Sequence, residues 1–165
     1  MKTSFSKSPS LQPVHILLVG NNPIEMGPVL EKLGQVRTRK IITETAFDLK
    51  SIVERLVRFN PNFILIDDNI GREKLIQAVT KLSSTRKTKD IPITVLKNSN
   101  YRESFASDSI QDYLLKQNLS PDALYNTIKN TLRFKRTQRL LYQAYKNRKG
   151  LLKKMFEKKV LNLVG

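Results

Sequence analysis

The strongest constraint in this chain is an alternation. Short apolar runs take turns with longer segments whose apolar residues recur every three or four positions. His15–Val19 is a run of the first kind and ends at the turn signal Gly20-Asn21-Asn22-Pro23. Phe63–Ile66 is a second, followed by Asp67-Asp68-Asn69 and Gly71. Ile91–Leu96 and Asp112–Leu115 are strand-like, and Lys40–Thr45 is rich in β-formers. Runs of this length, bounded by turn residues, read as buried strands. Between them lie amphipathic segments. Ile24–Leu33 carries Val29, Leu30 and Leu33, stops at Gly34, and contains an awkward Pro28 that predicts a late start or a kink. Phe47–Phe59 carries Leu49, Ile52, Val53, Leu56 and Val57 before Asn60-Pro61-Asn62 breaks it. Glu73–Leu82 carries Leu75, Ile76, Val79 and Leu82. Asn98–Asp108 gives only a weak, short helix signal. Ser120-Pro121-Asp122 is a strong helix start, with Ser as N-cap, Pro at the first position and an acid in the first turn. Leu124, Ile128 and Leu132 then define one face.

Strands buried on both sides and alternating with amphipathic helices call for a parallel sheet covered on two faces. Right-handed crossovers leave few topologies. In such sheets the chemistry sits at the carboxyl ends of the strands. Those ends are Gly20-Asn21-Asn22, Asp67-Asp68-Asn69, Lys97-Asn98-Ser99 and Lys116. Brought together, they make a pocket of carboxylates, amides and two ammonium groups.

Composition narrows the function. The chain has 165 residues, a normal length for one domain, and 39% of them are apolar. It has no Cys, which removes disulfides, zinc-thiolate sites and thiol catalysis, and its one His leaves little scope for a His-based triad. No apolar run approaches the ~20 residues of a membrane span. Residues 1–13 are polar and lack an apolar signal-peptide centre, so they read as a disordered arm of a cytoplasmic protein. The net charge is +16, and it is uneven. Residues 13–120 carry +4, while residues 121–165 carry +10. A near-balanced body with a basic appendage is the simplest reading.

With the strands in this order, residues 14–134 resemble a response-regulator receiver domain of two-component signalling, the CheY-like family. Four features carry the resemblance: His15-Ile-Leu-Leu-Val19, Phe63-Ile-Leu-Ile-Asp67, Ile91-Pro-Ile-Thr-Val-Leu96 and Asp112-Tyr-Leu-Leu-Lys116. The resemblance implies a flavodoxin-like doubly wound α/β fold, a five-stranded parallel sheet of order 2-1-3-4-5. It makes Asp67 the match of the phosphoacceptor and Lys116 the match of the lysine that pairs with it. Asn69 takes the position that offers a backbone carbonyl to magnesium. Tyr113 takes that of the aromatic switch.

The departures from the family pattern matter more. The two acids that build the family's Mg²⁺ site are replaced by Gly20 and Asn21. Glycine offers no ligand and asparagine no charge, whereas Mg²⁺ is usually held through one or two carboxylates. Phosphoryl transfer relies on that metal to neutralise developing charge. Asp68 would face away if the strand ran on. Lys97 stands where the family has Thr or Ser. It puts a second ammonium near Asp67, where it can pair with the carboxylate or snorkel into solvent. Ser99 is a hydroxyl substitute two residues late. Gln117 replaces the usual Pro, and the stretch from Lys97 to Asp112 is short for a full fourth helix. No cofactor is expected, with Mg²⁺ only if phosphorylation is retained.

The C-terminal segment, residues 135–165, reads as a basic helical extension. From Lys129 to Lys159 there are 12 basic residues and one acid, Glu157. Lys129, Arg133, Lys135, Arg136, Arg139, Lys146, Arg148 and Lys149 are the candidate contacts to a partner or polyanion. Leu132, Phe134, Leu140, Leu141, Tyr145, Leu151, Leu152, Met155 and Phe156 keep a rough apolar stripe running, and Gly150 is the expected break. Such a stripe needs a partner: a second copy, another protein, an acidic membrane or nucleic acid. No helix-turn-helix pattern follows the body.

The functional expectation is a degenerate receiver that is not an enzyme. It would act by protein–protein contact, with Asp67, Lys97 and Lys116 locking the pocket and the helix making a homodimer or binding a signalling protein. One alternative is a true phosphoreceiver, with Asp67 accepting a phosphoryl group from a histidine kinase. Another is an adaptor for nucleic acid or an acidic membrane through residues 129–159. A flavin carrier of the same topology is discounted, because the first turn is not a Gly- or Ser/Thr-rich phosphate loop.

Overall fold

A computed structural model describes residues 11–98, 107–117 and 119–164. Most of the expected N-terminal arm, the weak helix signal and Ser99 lie outside them. The chain divides into two compact units, Met1–Lys129 and Asn130–Gly165.

The first unit holds strands β1 (Val14–Val19), β2 (Ile41–Ala46), β3 (Phe63–Asp67), β4 (Ile93–Lys97) and β5 (Ile110–Leu115). Helices α1 (Pro23–Gly34), α2 (Leu49–Arg58) and α3 (Arg72–Ser84) link them, and α4 (Pro121–Val164) follows β5. The five strands form one parallel sheet in the order β2-β1-β3-β4-β5, as expected. Every residue of β3 is buried, which is what the unbroken apolar run requires of a central strand. The edge strand β2 is only half-buried along most of its length and alternates apolar with polar residues less strictly.

Side chains alternate across each strand, so the sheet has two cores. On one face Leu17, Val19, Ile64, Ile66, Ile93 and Val95 pack with Ile52 and Leu56 of α2 and with Leu75, Val79 and Leu82 of α3. Ile16, Leu18, Phe63, Leu65 and Leu96 point the other way, toward the side where Met26, Val29 and Leu33 of α1 and Leu124 and Ile128 of α4 are buried. His15 plays the packing part expected of it, stacking on Phe59 with ring centroids 5.5 Å apart.

Local chemistry sets the ends of the helices. The Asn22 side chain caps α1 by accepting from Ile24 N, and Pro23 fits the first turn, where its missing N–H costs nothing. Pro28 lies inside α1, so the helix starts early rather than late. Asp48 and Ser51 form a capping box on α2: Asp48 Oδ1 accepts from Ser51 N at 2.7 Å, and Ser51 Oγ accepts from Asp48 N at 2.9 Å. These bonds hold the Asp48 carboxyl below its ordinary value of 3.8, the bond from the Ser51 backbone contributing most. Gly71, between the turn after β3 and helix α3, has φ 89° and ψ 155°. Only glycine adopts that backbone conformation readily, which explains its place there.

The second unit is helical throughout residues 130–164. The expected break at Gly150 does not occur. One glycine in a long helix costs about 1 kcal/mol relative to alanine, less than ending and renucleating the helix.

Candidate functional site

The site lies at the carboxyl ends of β1, β3, β4 and β5. Parallel pairing sets Asp67 beside Leu96 and Lys97 beside Leu115. Lys116, one residue past β5, donates its backbone N–H to the Lys97 carbonyl at 2.9 Å. The register therefore brings Asp67 and Lys116 to one mouth, although 49 positions separate them in sequence.

Asp67 is the last residue of β3 and its side chain is 2% exposed. Its Oδ1 accepts from Lys116 Nζ at 2.6 Å and from the backbone N–H of Asn69 at 3.0 Å. A buried carboxylate needs both kinds of partner, because neither charge nor lone pairs survive burial unpaired. Lys116 is divided between two acids: its Nζ also lies 3.2 Å from Oε2 of Glu25, on the first turn of α1. Glu25 is a site residue that the sequence reading missed. It is 91 residues from Lys116, so no local spacing announces the contact.

The positions matched to the metal site hold different groups. An alanine Cβ at Gly20 would lie 2.9 Å from Met26 Sδ, 3.0 Å from Met26 Cγ and 3.3 Å from Asp67 Cβ. The buried thioether of Met26 thus fills the space that a side chain at Gly20 would take. Asn21 Nδ2 donates to the Asn69 carbonyl at 3.3 Å. That carbonyl is the one the resemblance assigns to magnesium, and here it faces a hydrogen-bond donor. Asn98 Nδ2 in turn donates to Asn69 Oδ1. Asp68 opens a 3-10 turn, Asp68–Ile70, so the strand alternation stops at Asp67. Among the described residues no group of three or more His, Cys, Asp and Glu could hold a metal ion. At the two positions matched to the family's metal-binding acids, Gly20 and Asn21, the chain offers no carboxylate, whereas Mg²⁺ is usually bound through one or two carboxylates in near-octahedral geometry.

Lys97 is the last residue of β4, and its Nζ lies 5.2 Å from the centroid of the Tyr113 ring. A cation over a ring face at this range is attracted by the ring's quadrupole. Lys116 pairs with Asp67, and the ammonium of Lys97, at the neighbouring strand end, lies over the Tyr113 ring. Partial burial raises the Tyr113 phenol above its ordinary value of 10.0.

The basic candidates Lys129, Arg133, Arg136, Arg139, Lys146, Arg148 and Lys149 are exposed on α4, and Lys135 is partly so. Lys146 Nζ lies 5.2 Å from the Tyr142 ring centroid. No helix among the described residues is long and apolar enough to cross a membrane.

Solved structures similar in fold to this chain include receiver domains. The chemotaxis response regulator CheY4 of Vibrio cholerae is 17% identical, with a TM-score of 0.57 over 73% of this chain and 99% of that one. The receiver domain of a sensor histidine kinase from Pseudomonas aeruginosa, with a magnesium ion coordinated in its active-site cleft, is 18% identical, with a TM-score of 0.59 over 73% of this chain and 98% of that one. A receiver-modulated diguanylate cyclase from Pelobacter carbinolicus is 18% identical, with a TM-score of 0.57 over 76% of this chain and 97% of that one. No family model and no curated protein matches the sequence. The fold is that of CheY-like response-regulator receiver domains.

Proposed function

We propose that this chain is a cytoplasmic signalling module of the receiver fold that acts by protein–protein contact, with its phosphorylation pocket held in one state by its own residues. One observation carries the reading. The Asp67 carboxylate is paired at 2.6 Å with Lys116, while Met26 fills the space beside Gly20 and Asn21 covers the carbonyl of Asn69. Phosphoryl transfer to a carboxylate is catalysed by positioning and charge neutralisation, and a divalent metal supplies most of the latter. Gly20 and Asn21 offer that metal no carboxylate, so the ammonium of Lys116 is the standing counter-charge. In this reading the chain is not an enzyme and carries no cofactor.

Residues 130–164 supply the contact surface, for a second copy or for another signalling protein. The exposed apolar residues Leu141, Tyr145, Leu152 and Phe156 support this, because a free helix gains nothing from them.

Amide NMR during titration with Mg²⁺ and beryllofluoride, a phosphoryl mimic, tests the pocket. The expected result is no shift around Asp67, Lys97 and Lys116 at millimolar Mg²⁺. Saturating shifts that vanish in Asp67→Asn would establish a true phosphoreceiver, fed by a histidine kinase, and end this reading.

A further inference from the structure

The helix of residues 130–164 has a pattern that narrows its partner. Phe134, Leu141, Tyr145, Leu152, Phe156 and Leu163 follow one another at intervals of 7, 4, 7, 4 and 7 residues. This is an 11-residue repeat, which keeps a stripe nearly straight along an α-helix and favours right-handed rather than left-handed winding on a partner helix. The stripe is exposed among the described residues: Phe134 is 56% exposed and Leu163 84%. Two cations interrupt it. Arg148 and Lys159 lie along one side of these six, at the centre of the wider apolar face that the exposed Leu151 and Met155 complete, 11 residues and about 16 Å apart, so they occupy equivalent places in the repeat.

We infer that this stripe docks an amphipathic helix of another protein that carries an apolar seam and two carboxylates spaced to meet Arg148 and Lys159. Charge chooses this occupant. Residues 130–165 hold 11 Lys and Arg against one acid, Glu157, so a second copy brings like charge to like charge. A parallel pair in register sets Arg148 on Arg148 and Lys159 on Lys159. An antiparallel pair centred between them sets Arg148 on Lys159. Either way the seam holds unpaired cations. An acidic membrane attracts the basic face, but a helix lying in its plane sends the midline of the apolar face deepest, and that midline carries the same two cations. Nucleic acid satisfies the charge and leaves the aromatic and leucine stripe in water. An acidic partner helix answers both the stripe and the charges on it.

The inference rests on the proposed role as a protein-contact module. The two readings fail separately, because beryllofluoride reports on Asp67 and the helix test does not involve it. The test uses the full chain and synthetic helices on the order of 30 residues long, enough to be helical. Each peptide has leucines at the same 7-4 spacing and Glu, Gln or Lys at two positions 11 residues apart. The Glu peptide is expected to bind at least about tenfold more tightly than the Gln peptide, with the Lys peptide weakest. The double variant R148E/K159E, changed only at exposed positions, should invert the order. Equal binding of the three peptides, or no binding, overturns the inference. So does wild-type dimerisation at micromolar concentration, or binding to phosphatidylserine vesicles, that R148E/K159E leaves unchanged.

Discussion

The ammonium of Lys116 sits 2.6 Å from the carboxylate of Asp67, and the two are unequally sealed: the Asp67 side chain is 2% exposed and that of Lys116 13%. The acid depends on the pair more than the base does, because Lys116 also has Glu25 at 3.2 Å and an edge open to water.

Losing Lys116 should therefore hurt more than neutralising Asp67. Lys116→Met leaves a buried carboxylate with only the Asn69 N–H and is expected to cost about 3 kcal/mol in urea unfolding, as broken buried pairs do. Asp67→Asn leaves Lys116 its second acid and should cost clearly less. The double variant Asp67→Asn/Lys116→Met should recover most of the loss.

Gly20 tests the replacement of the metal site. Gly20→Ala drives its Cβ to 2.9 Å from Met26 Sδ, and the buried Met26 must move. A destabilisation of about 1–3 kcal/mol is expected, the usual cost of overpacking. Met26→Ala should relieve it when combined. Adding Gly20→Asp and Asn21→Asp to Met26→Ala should raise Mg²⁺ affinity above that of the natural sequence, measured by calorimetry.

Gly150→Ala should stabilise the long helix by about 1 kcal/mol, since nothing lies within 4 Å of the added Cβ and the residue is exposed. Circular dichroism of the full chain would show a raised helix melting temperature. No change, or a loss, would mean that glycine serves a contact there.

The Asp48 cap predicts an acid-sensitive start to α2. Its carboxyl titrates lower folded than unfolded, so the carboxylate stabilises the fold above the ordinary value of 3.8. That contribution disappears as pH falls from 3.8 through the lowered value. Denaturation followed between pH 5 and about pH 2 should show a smaller acid loss in Asp48→Asn, because asparagine still caps and does not titrate.

Much of this molecule was legible from apolar periodicity. Phe63–Ile66 announced a central strand because every position there is apolar, and β3 is buried throughout. Leu75, Val79 and Leu82 announced the inner face of α3, and all three are buried. Strand ends are local features too, which is why Asp67 and Lys116 stood out before any contact was known. Other expectations weighed local signals wrongly. Gly150 read as a break because a single-residue penalty is visible in the sequence, whereas the cooperativity of the helix around it is not.

The sequence by itself determined the order of elements, the parallel sheet and the identity of the acid at the end of β3, because each depends on residues close together in the chain. Only the tertiary structure decided that Lys116 holds Asp67 and Glu25 together, that Met26 fills the space beside Gly20, that Asn21 covers the Asn69 carbonyl and that Lys97 lies over Tyr113. Those contacts depend on strand register and on how α1 seats against the sheet. A difference of about 1 Å in either decides between an ion pair and none, and local periodicity does not encode distances that small.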